Sequence, residues 1–246
     1  PRFASPRDVV LGLGVVLAGG RRIRCGGRVV KDVAGYDLAR LLVGSLGVLG
    51  VILEVSVKVL PRPAVQLTLS FELEQQESLD RLNAWAGQPL PLSASVWHDG
   101  VLSVRLSGSR AAVTDARRHL GGEPMDASST DAFWAQIPEQ THPFFAGAEP
   151  LWRVSVPSTM PAQELRGIQL IEWSGALRWL RTSQSAREVR AAAQRGGGHA
   201  TLFRGERSRD EVFTPLSAPL LAVHRRLKSH FDPAGIFNPG RLYREL

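Results

Sequence analysis

VVKDVAGYDLARLLVGSLGVLGVILEVSVKVLPRP, Val29 to Pro63, decides how this chain is read. It carries glycines at 35, 44, 47 and 50. A core helix does not tolerate that density, because each glycine costs about 1 kcal/mol relative to alanine in a helix interior. Either the backbone bends sharply here, or a ligand approaches it. Leu38, Leu41 and Leu42 predict a short helix from Asp37 to about Val43, with the Asp37 carboxylate as N-cap. Gly44-Ser45-Leu46-Gly47 ends it, and Gly50 to Leu60 reads as a strand with Val51, Leu53, Val55, Val57 and Val59 on one face. A helix-to-strand turn of so little bulk can aim backbone N–H groups at a phosphate or at the polar edge of a ring. A tightly packed turn would show the same glycines. The segment is neither a dinucleotide fingerprint nor a P-loop: no Gly-x-Gly-x-x-Gly follows a strand, and no Gly-Lys-Ser/Thr occurs.

Outward from this stretch, Arg7 to Leu17 is β-rich, Ala18-Gly19-Gly20 is a turn, and Arg21 to Cys25 returns as a second strand. Pro61-Arg62-Pro63 marks a boundary, so a first domain is expected over 1–63. A second domain, 64–213, reads as strand, helix, strand, strand, helix, strand, a ferredoxin-like order that can be read twice along the segment. Its elements are Gln66–Glu72, Gln75–Ala86, Leu92–His98, Val101–Ser107 and Arg110–Leu120, then Leu151–Val156, Pro161–Arg166, Ile168–Trp173, Ala176–Arg181, Ser185–Arg195 and His199–Phe203. The stretch between the halves, Gly121 to Pro150, reads as irregular. The expected product is one antiparallel sheet with helices on one face, an α+β architecture. A tail, 214–246, holds a helix from about Leu216 to His230 and the turn Asn238-Pro239-Gly240.

The 246 residues are 43% hydrophobic and 22% charged, enough apolar content for real cores. Net charge is +7, nearly all of it arginine, but the arginines are scattered. No aromatic-interleaved basic stripe or zinc-finger spacing points to nucleic acid. The single Cys25 allows no internal disulfide and fits a reducing compartment; it also excludes an iron–sulfur cluster ligated by this chain alone. The histidines show no metal-ligand spacing, so no protein-bound metal is expected. The apolar run Val9 to Ala18 is too short for a membrane span. The first methionine is Met125, which suggests a processed chain or a piece of a longer one.

Two signatures in order carry a family resemblance. GRVVKDVAGYDLARLLVGSLGVLGVILEVSVKVLPRP (27–63) resembles the end of the FAD-binding domain in FAD-linked oxidases of the vanillyl-alcohol oxidase and p-cresol methylhydroxylase (PCMH) type. HRRLKSHFDPAGIFNPGRLY (224–243) resembles the same family's C-terminal Asp-Pro-x-Gly-x-x-Asn-Pro-Gly signature. The Val-Lys-x-Val-Ala-Gly-Tyr-Asp form, LWRVSVP and GGGHATLFRG look most like one branch, the FAD-binding subunit of bacterial glycolate oxidase.

The resemblance implies a partial PCMH-type FAD-binding domain followed by a ferredoxin-like cap. It implies FAD as cofactor, with Gly44, Ser45, Gly47, Gly50, Val51 and Ile52 lining it, Gly35, Tyr36 and Asp37 nearby, and Asn238 and Arg241 at the flavin end. Asp32 stands where relatives often carry Asn. It also implies that the glycine-rich loop gripping the FAD pyrophosphate belongs upstream of Pro1. For the substrate side it implies His199, which could orient a carboxylate or accept a hydroxyl proton. Arg153 and Arg204 could each grip a carboxylate with two parallel hydrogen bonds. The implied reaction is oxidation of a 2-hydroxy acid such as glycolate. The implied partners are a homologous FAD-binding subunit and an iron–sulfur subunit, in the cytoplasm or at the inner membrane through those partners. A second reading is a subunit-interaction module that holds no flavin.

Overall fold

The computed structural model describes residues 5–29, 36–162, 165–205 and 212–246. The chain forms two compact units: the central stretch Arg62–Glu206, and Ala4–Pro61 together with Arg207–Leu246.

The second of these units joins the two ends of the chain. Pro6–Val9 is a helical turn (α1) and Val10–Val16 a strand (β1). Arg7 to Leu17 is therefore not strand throughout. Ser5 and Asp8 cap each other and Pro6 stands at the first helical position, where its missing N–H costs nothing. A turn at Ala18–Gly20 leads to β2 (Arg22–Gly26). Helix α2 is Leu38–Leu42, and Asp37 caps it by accepting from the Arg40 N–H at 2.9 Å. Strand β3, Val51–Val57, completes a three-stranded antiparallel sheet ordered β2-β1-β3. Leu13, Val15, Leu42, Val48 and Leu49 form its core. The alternating apolar residues of β3 do not: Val51, Leu53, Val55 and Val57 are all exposed.

The central unit is a single eight-stranded antiparallel sheet. Its strands are β4 (Val65–Glu72), β5 (Leu92–His98), β6 (Val101–Gly108), β7 (Glu123–Pro124), β8 (Leu151–Ser155), β9 (Ile168–Glu172), β10 (Leu177–Arg181) and β11 (His199–Arg204). The order β7-β4-β6-β5-β9-β10-β8-β11 is two ferredoxin-like repeats joined through their second strands, β5 and β9. Helices α3 (Gln75–Ala86) and α4 (Arg110–Leu120) cover the first repeat, burying Leu79, Leu82, Val113 and Ala116 against Leu69, Val104 and Leu106. Helix α6 (Ala186–Arg195), opened by a Ser185/Glu188 capping box, does the same for the second repeat against Trp152, Val154 and Leu180. On this covered face Arg178 is fully buried. Its guanidinium donates to the carbonyls of Gly175, Pro161 and Met160, and burial lowers its pKa to about 10.

The stretch between the repeats is not irregular. Ala127–Gln136 is a helix (α5), N-capped by Asp126, and Pro143–Ala146 is a 3-10 turn. Both pack on the other face of the sheet, where Phe144 and Phe145 meet Val96, Leu151, Leu170 and Trp179. Helical cover is therefore on both faces. The sequence hides α5 because ASSTDAFWAQ has no clean apolar stripe. The expected turn Pro161–Arg166 falls partly outside the described residues.

Candidate functional site

The glycine turn is held open by the tail. Helix α7, Ala218–Phe231, ends immediately before Asp232. Lys228 projects from its last turn and is buried, donating to Asp232 Oδ2 at 2.6 Å, to the carbonyl of Val48 at 2.9 Å and to that of Phe237 at 2.6 Å. Asp232 accepts in turn from the N–H groups of Ile236 and Phe237. Burial alone would raise the Asp232 pKa, but Lys228 and these two N–H groups outweigh it and hold the carboxyl below its ordinary value. Asn238 follows with a positive φ of 41° and donates from its amide to the Leu46 carbonyl at 2.8 Å. Two motifs at opposite ends of the sequence thus meet atom to atom.

The turn itself runs through left-handed backbone at Gly44, Leu46 and Gly47. A Cβ on Gly47 would lie 2.8 Å from the Asn238 amide nitrogen. Among the described residues, the N–H groups of Leu46 and Gly47 find no acceptor. Free, adjacent N–H groups on a glycine cradle are what an acceptor-rich ring edge or phosphate needs, so these residues fit FAD. Ser45 is buried, while Val51 and Ile52 stand on the exposed strand β3. Asp37 is spent on capping α2, and Tyr36 is 94% exposed. Arg241 is exposed, its N–H closing a turn on the Asn238 carbonyl. Gly35 and Asp32 lie outside the described residues. Sequence reasoning missed Lys228, although Lys228 and Asp232 stand at i,i+4 beside the tail signature.

The second candidate region is the sheet face opposite α3, α4 and α6. One row of cross-strand neighbours is His199, Ser155, Leu177, Glu172 and Val96; the next is Thr201, Arg153, Trp179, Leu170 and His98. Arg153 and His199, both expected from sequence, share this face. Arg153 is half-buried, and burial lowers its pKa, with Glu172 opposing that shift. Glu172, which the sequence reading missed, is half-buried on the same face. Burial raises its pKa despite a 2.6 Å hydrogen bond from Trp179 Nε1 and the nearby charge of Arg153. The only sequence cue was an acidic residue closing the apolar run Ile168-Gln169-Leu170-Ile171. Arg204 is committed elsewhere: it donates to the Phe145 carbonyl at 3.1 Å and to Gln140 Oε1, anchoring the aromatic turn. That occupation removes the reason to expect it as a free carboxylate clamp.

Among the described residues, no group of His, Cys, Asp and Glu is placed to hold a metal ion, and no helix is long and apolar enough to cross a membrane.

Comparison with known proteins agrees with this geometry. The family of FAD linked oxidases, C-terminal domain, matches residues 204–242, the stretch that contains Lys228, Asp232 and Asn238. The fold is similar to that of p-cresol methylhydroxylase in its substrate-bound crystal structure, with a TM-score of 0.60 over 95% of this chain and 65% of that one at 16% identity. These features define a chain with the PCMH fold. Within that class, the chain belongs to the family of the glycolate oxidase subunit GlcE of Escherichia coli, to which it is 47% identical over its whole length. It spans 68% of that relative. It is also 54% identical over 68 residues to the glycolate oxidase subunit GlcD of Bacillus subtilis, covering 28% of this chain and 14% of that protein.

Proposed function

We propose that this chain is an FAD-binding subunit of a complex that oxidises a small 2-hydroxy acid of the glycolate class. The observation that carries the reading is the 47% identity to a glycolate oxidase subunit, over all 246 residues. The turn at Gly44, Ser45, Gly47 and Gly50 would hold FAD through its backbone, with Gly35, Tyr36, Asp37, Val51, Ile52 and Arg241 beside it. Asn238 keeps that turn open by holding the Leu46 carbonyl. Bound FAD supplies the two-electron acceptor. Arg153 would take the substrate carboxylate, since its half-buried guanidinium has no carboxylate within ion-pair distance among the described residues. His199 would orient the same ligand from the next row of the face. Electrons would leave through an iron–sulfur subunit and a homologous flavin subunit, because Cys25 is this chain's sole thiol.

The test is the visible spectrum of the purified complex. Gly47→Val, which drives a side chain into Asn238 at a φ of 76°, is expected to remove flavin absorbance from this subunit. Full retention of flavin by that variant would overturn the cofactor site. The reading as a flavin-free interaction module has one observation on its side, the exposed apolar strand β3. It would prevail if the unaltered subunit in its complex held no flavin.

A further inference from the structure

The two ferredoxin-like repeats leave a gap at their seam. Strand β5 starts at Leu92, but its pairing with β9 starts only at Val96, opposite Glu172. The stretch from Leu92 to Ser95 therefore pairs with β6 alone and has no strand on its other side among the described residues. Beyond Glu172 the chain leaves the sheet through Trp173, Ser174 and Gly175. Leu82, Trp85 and Ala86 of α3 close the gap, and what remains is a cavity of about 230 Å³. Leu92, Trp173 and Ala176 complete its apolar wall, and Ser93, Ser95 and Ser174 bring hydroxyls to it. Among the described residues, no charged side chain lines it. One rim is strained. Trp173 and Ser174 hold left-handed backbone, with φ of 53° and 54°, an outlier for a side chain as bulky as tryptophan. Two hydrogen bonds keep it there: the Ser174 N–H donates to Ser95 Oγ at 2.9 Å, and Nε of the buried Arg178 donates to the Gly175 carbonyl at 3.1 Å. Backbone strain that is fixed in this way clusters at ligand clamps and other functional sites.

We propose that this seam cavity is a binding site for one uncharged aromatic ring bearing a hydroxyl, a ligand of the phenol class. Size sets the ring count. An apolar cavity of about 150 Å³ takes benzene. The seam cavity, at about 230 Å³, has room for one ring and a substituent. It is smaller than the roughly 300 Å³ at which pockets for drug-sized ligands begin. Charge sets the class. A carboxylate such as glycolate would be buried here without a partner, so this is not a second hydroxy-acid site. The polar groups set the substituent. Ser93 Oγ is spent: it meets the Arg105 carbonyl at 3.0 Å and Ser107 Oγ at 2.7 Å, and it accepts from Arg105 Nε at 3.0 Å. Ser95 Oγ accepts from the Ser174 N–H, which leaves its hydroxyl proton to donate. Among the described residues, the Ser174 hydroxyl has no partner. Two hydroxyls beside an aromatic and aliphatic wall suit a ligand with one oxygen on an apolar ring. The proposal does not rest on the flavin site.

The experiment is ligand-observed saturation-transfer NMR of the purified complex, titrated with phenol, toluene and benzoate. Four proteins are compared: the unaltered one, Ala86→Phe, Ala176→Leu and Ser174→Ala. Ala86 is exposed on the last turn of α3, so a phenylalanine there can fill the cavity without disturbing the core. Ala86→Phe is expected to weaken phenol at least about tenfold at an unchanged melting temperature. Ala176→Leu fills the same space from β10's side and serves should Ala86→Phe fold poorly. Ser174→Ala, which removes one neutral hydrogen bond, should weaken phenol about fivefold and leave toluene unchanged. Benzoate should show no binding that responds to any of the variants. Failure of the unaltered complex to bind phenol would overturn the proposal, as would full phenol affinity in a well-folded cavity-filling variant. If the filling variants exclude phenol but Ser174→Ala leaves the phenol-to-toluene ratio unchanged, the assigned ligand class is wrong.

Discussion

The two ferredoxin-like repeats have the same strand order, yet their common face is used differently. In the first repeat Arg105 is stacked 5.0 Å from the Trp134 ring and donates to Ser93 Oγ at 3.0 Å, and Trp134 in turn donates to Thr68. Helix α5 and its tryptophan close that half. In the second repeat Arg153 shares its face with a half-buried Glu172 and an exposed His199, with no comparable lid stacked on the guanidinium among the described residues. One arginine is consumed by packing and the other is left available. Topology therefore does not place the candidate ligand face; the connection between the repeats does, by stacking Trp134 on Arg105 in the first repeat while its Phe144 and Phe145 pack on Leu151, Leu170 and Trp179 of the second.

The units contrast in the same way. The glycine turn depends on a buried ion pair, so Lys228→Met should produce the largest effect. Leaving Asp232 buried without its partner is expected to cost about 3–5 kcal/mol, read by denaturant unfolding, with loss of bound flavin. Unchanged stability would show that the tail does not brace the turn.

Trp134→Ala and Arg153→Ala should separate the repeats. The first is expected to cost about 3 kcal/mol in stability with little change in glycolate affinity. The second should change stability by less than about 1 kcal/mol and weaken glycolate about 100-fold, the size expected for removing one partner of a charge pair. Reversal of either pattern would break the comparison.

Glu172 and His142 sharpen it through pH, with opposite signs. Glu172 has a raised pKa in the folded state, so its stabilising effect is complete below its ordinary 4.5 and lost as pH rises through the folded value. Glu172→Gln should therefore be the more stable protein at pH 8, with the gap closing below about pH 4.5. His142 has a lowered pKa, first through burial and then through the neighbouring His98. Its contribution is present above the ordinary 6.5 and lost as pH falls through the folded value. Because His142 Nδ1 accepts from the Phe144 N–H at 3.2 Å, His142→Asn can keep that cap without titrating. Thermal melts from pH 7 to pH 5 should show the smallest effect of the series, about 1 kcal/mol of acid sensitivity removed.

Much was legible in the sequence. Gln75–Ala86 and Arg110–Leu120 stand where apolar periodicity put them, and the strand order is that of two ferredoxin-like repeats. The glycine segment was visible as a sharp bend or a ligand approach, and the Asn-Pro-Gly tail as a turn. Three features were not local. Helix α5 lacks a stripe, and its burial is decided by which sheet face remains open. Arg204 and Arg153 look alike in sequence, and only the position of the Phe145 carbonyl separates an anchor from a free guanidinium. Glu172 is one glutamate among many until register sets it across β10 from Arg153. The sequence alone determined the family, the element types and the glycine positions, because these depend on short-range sterics and periodicity. The tertiary structure decided which polar side chains are satisfied and which remain available, because hydrogen-bond satisfaction depends on groups far away along the chain.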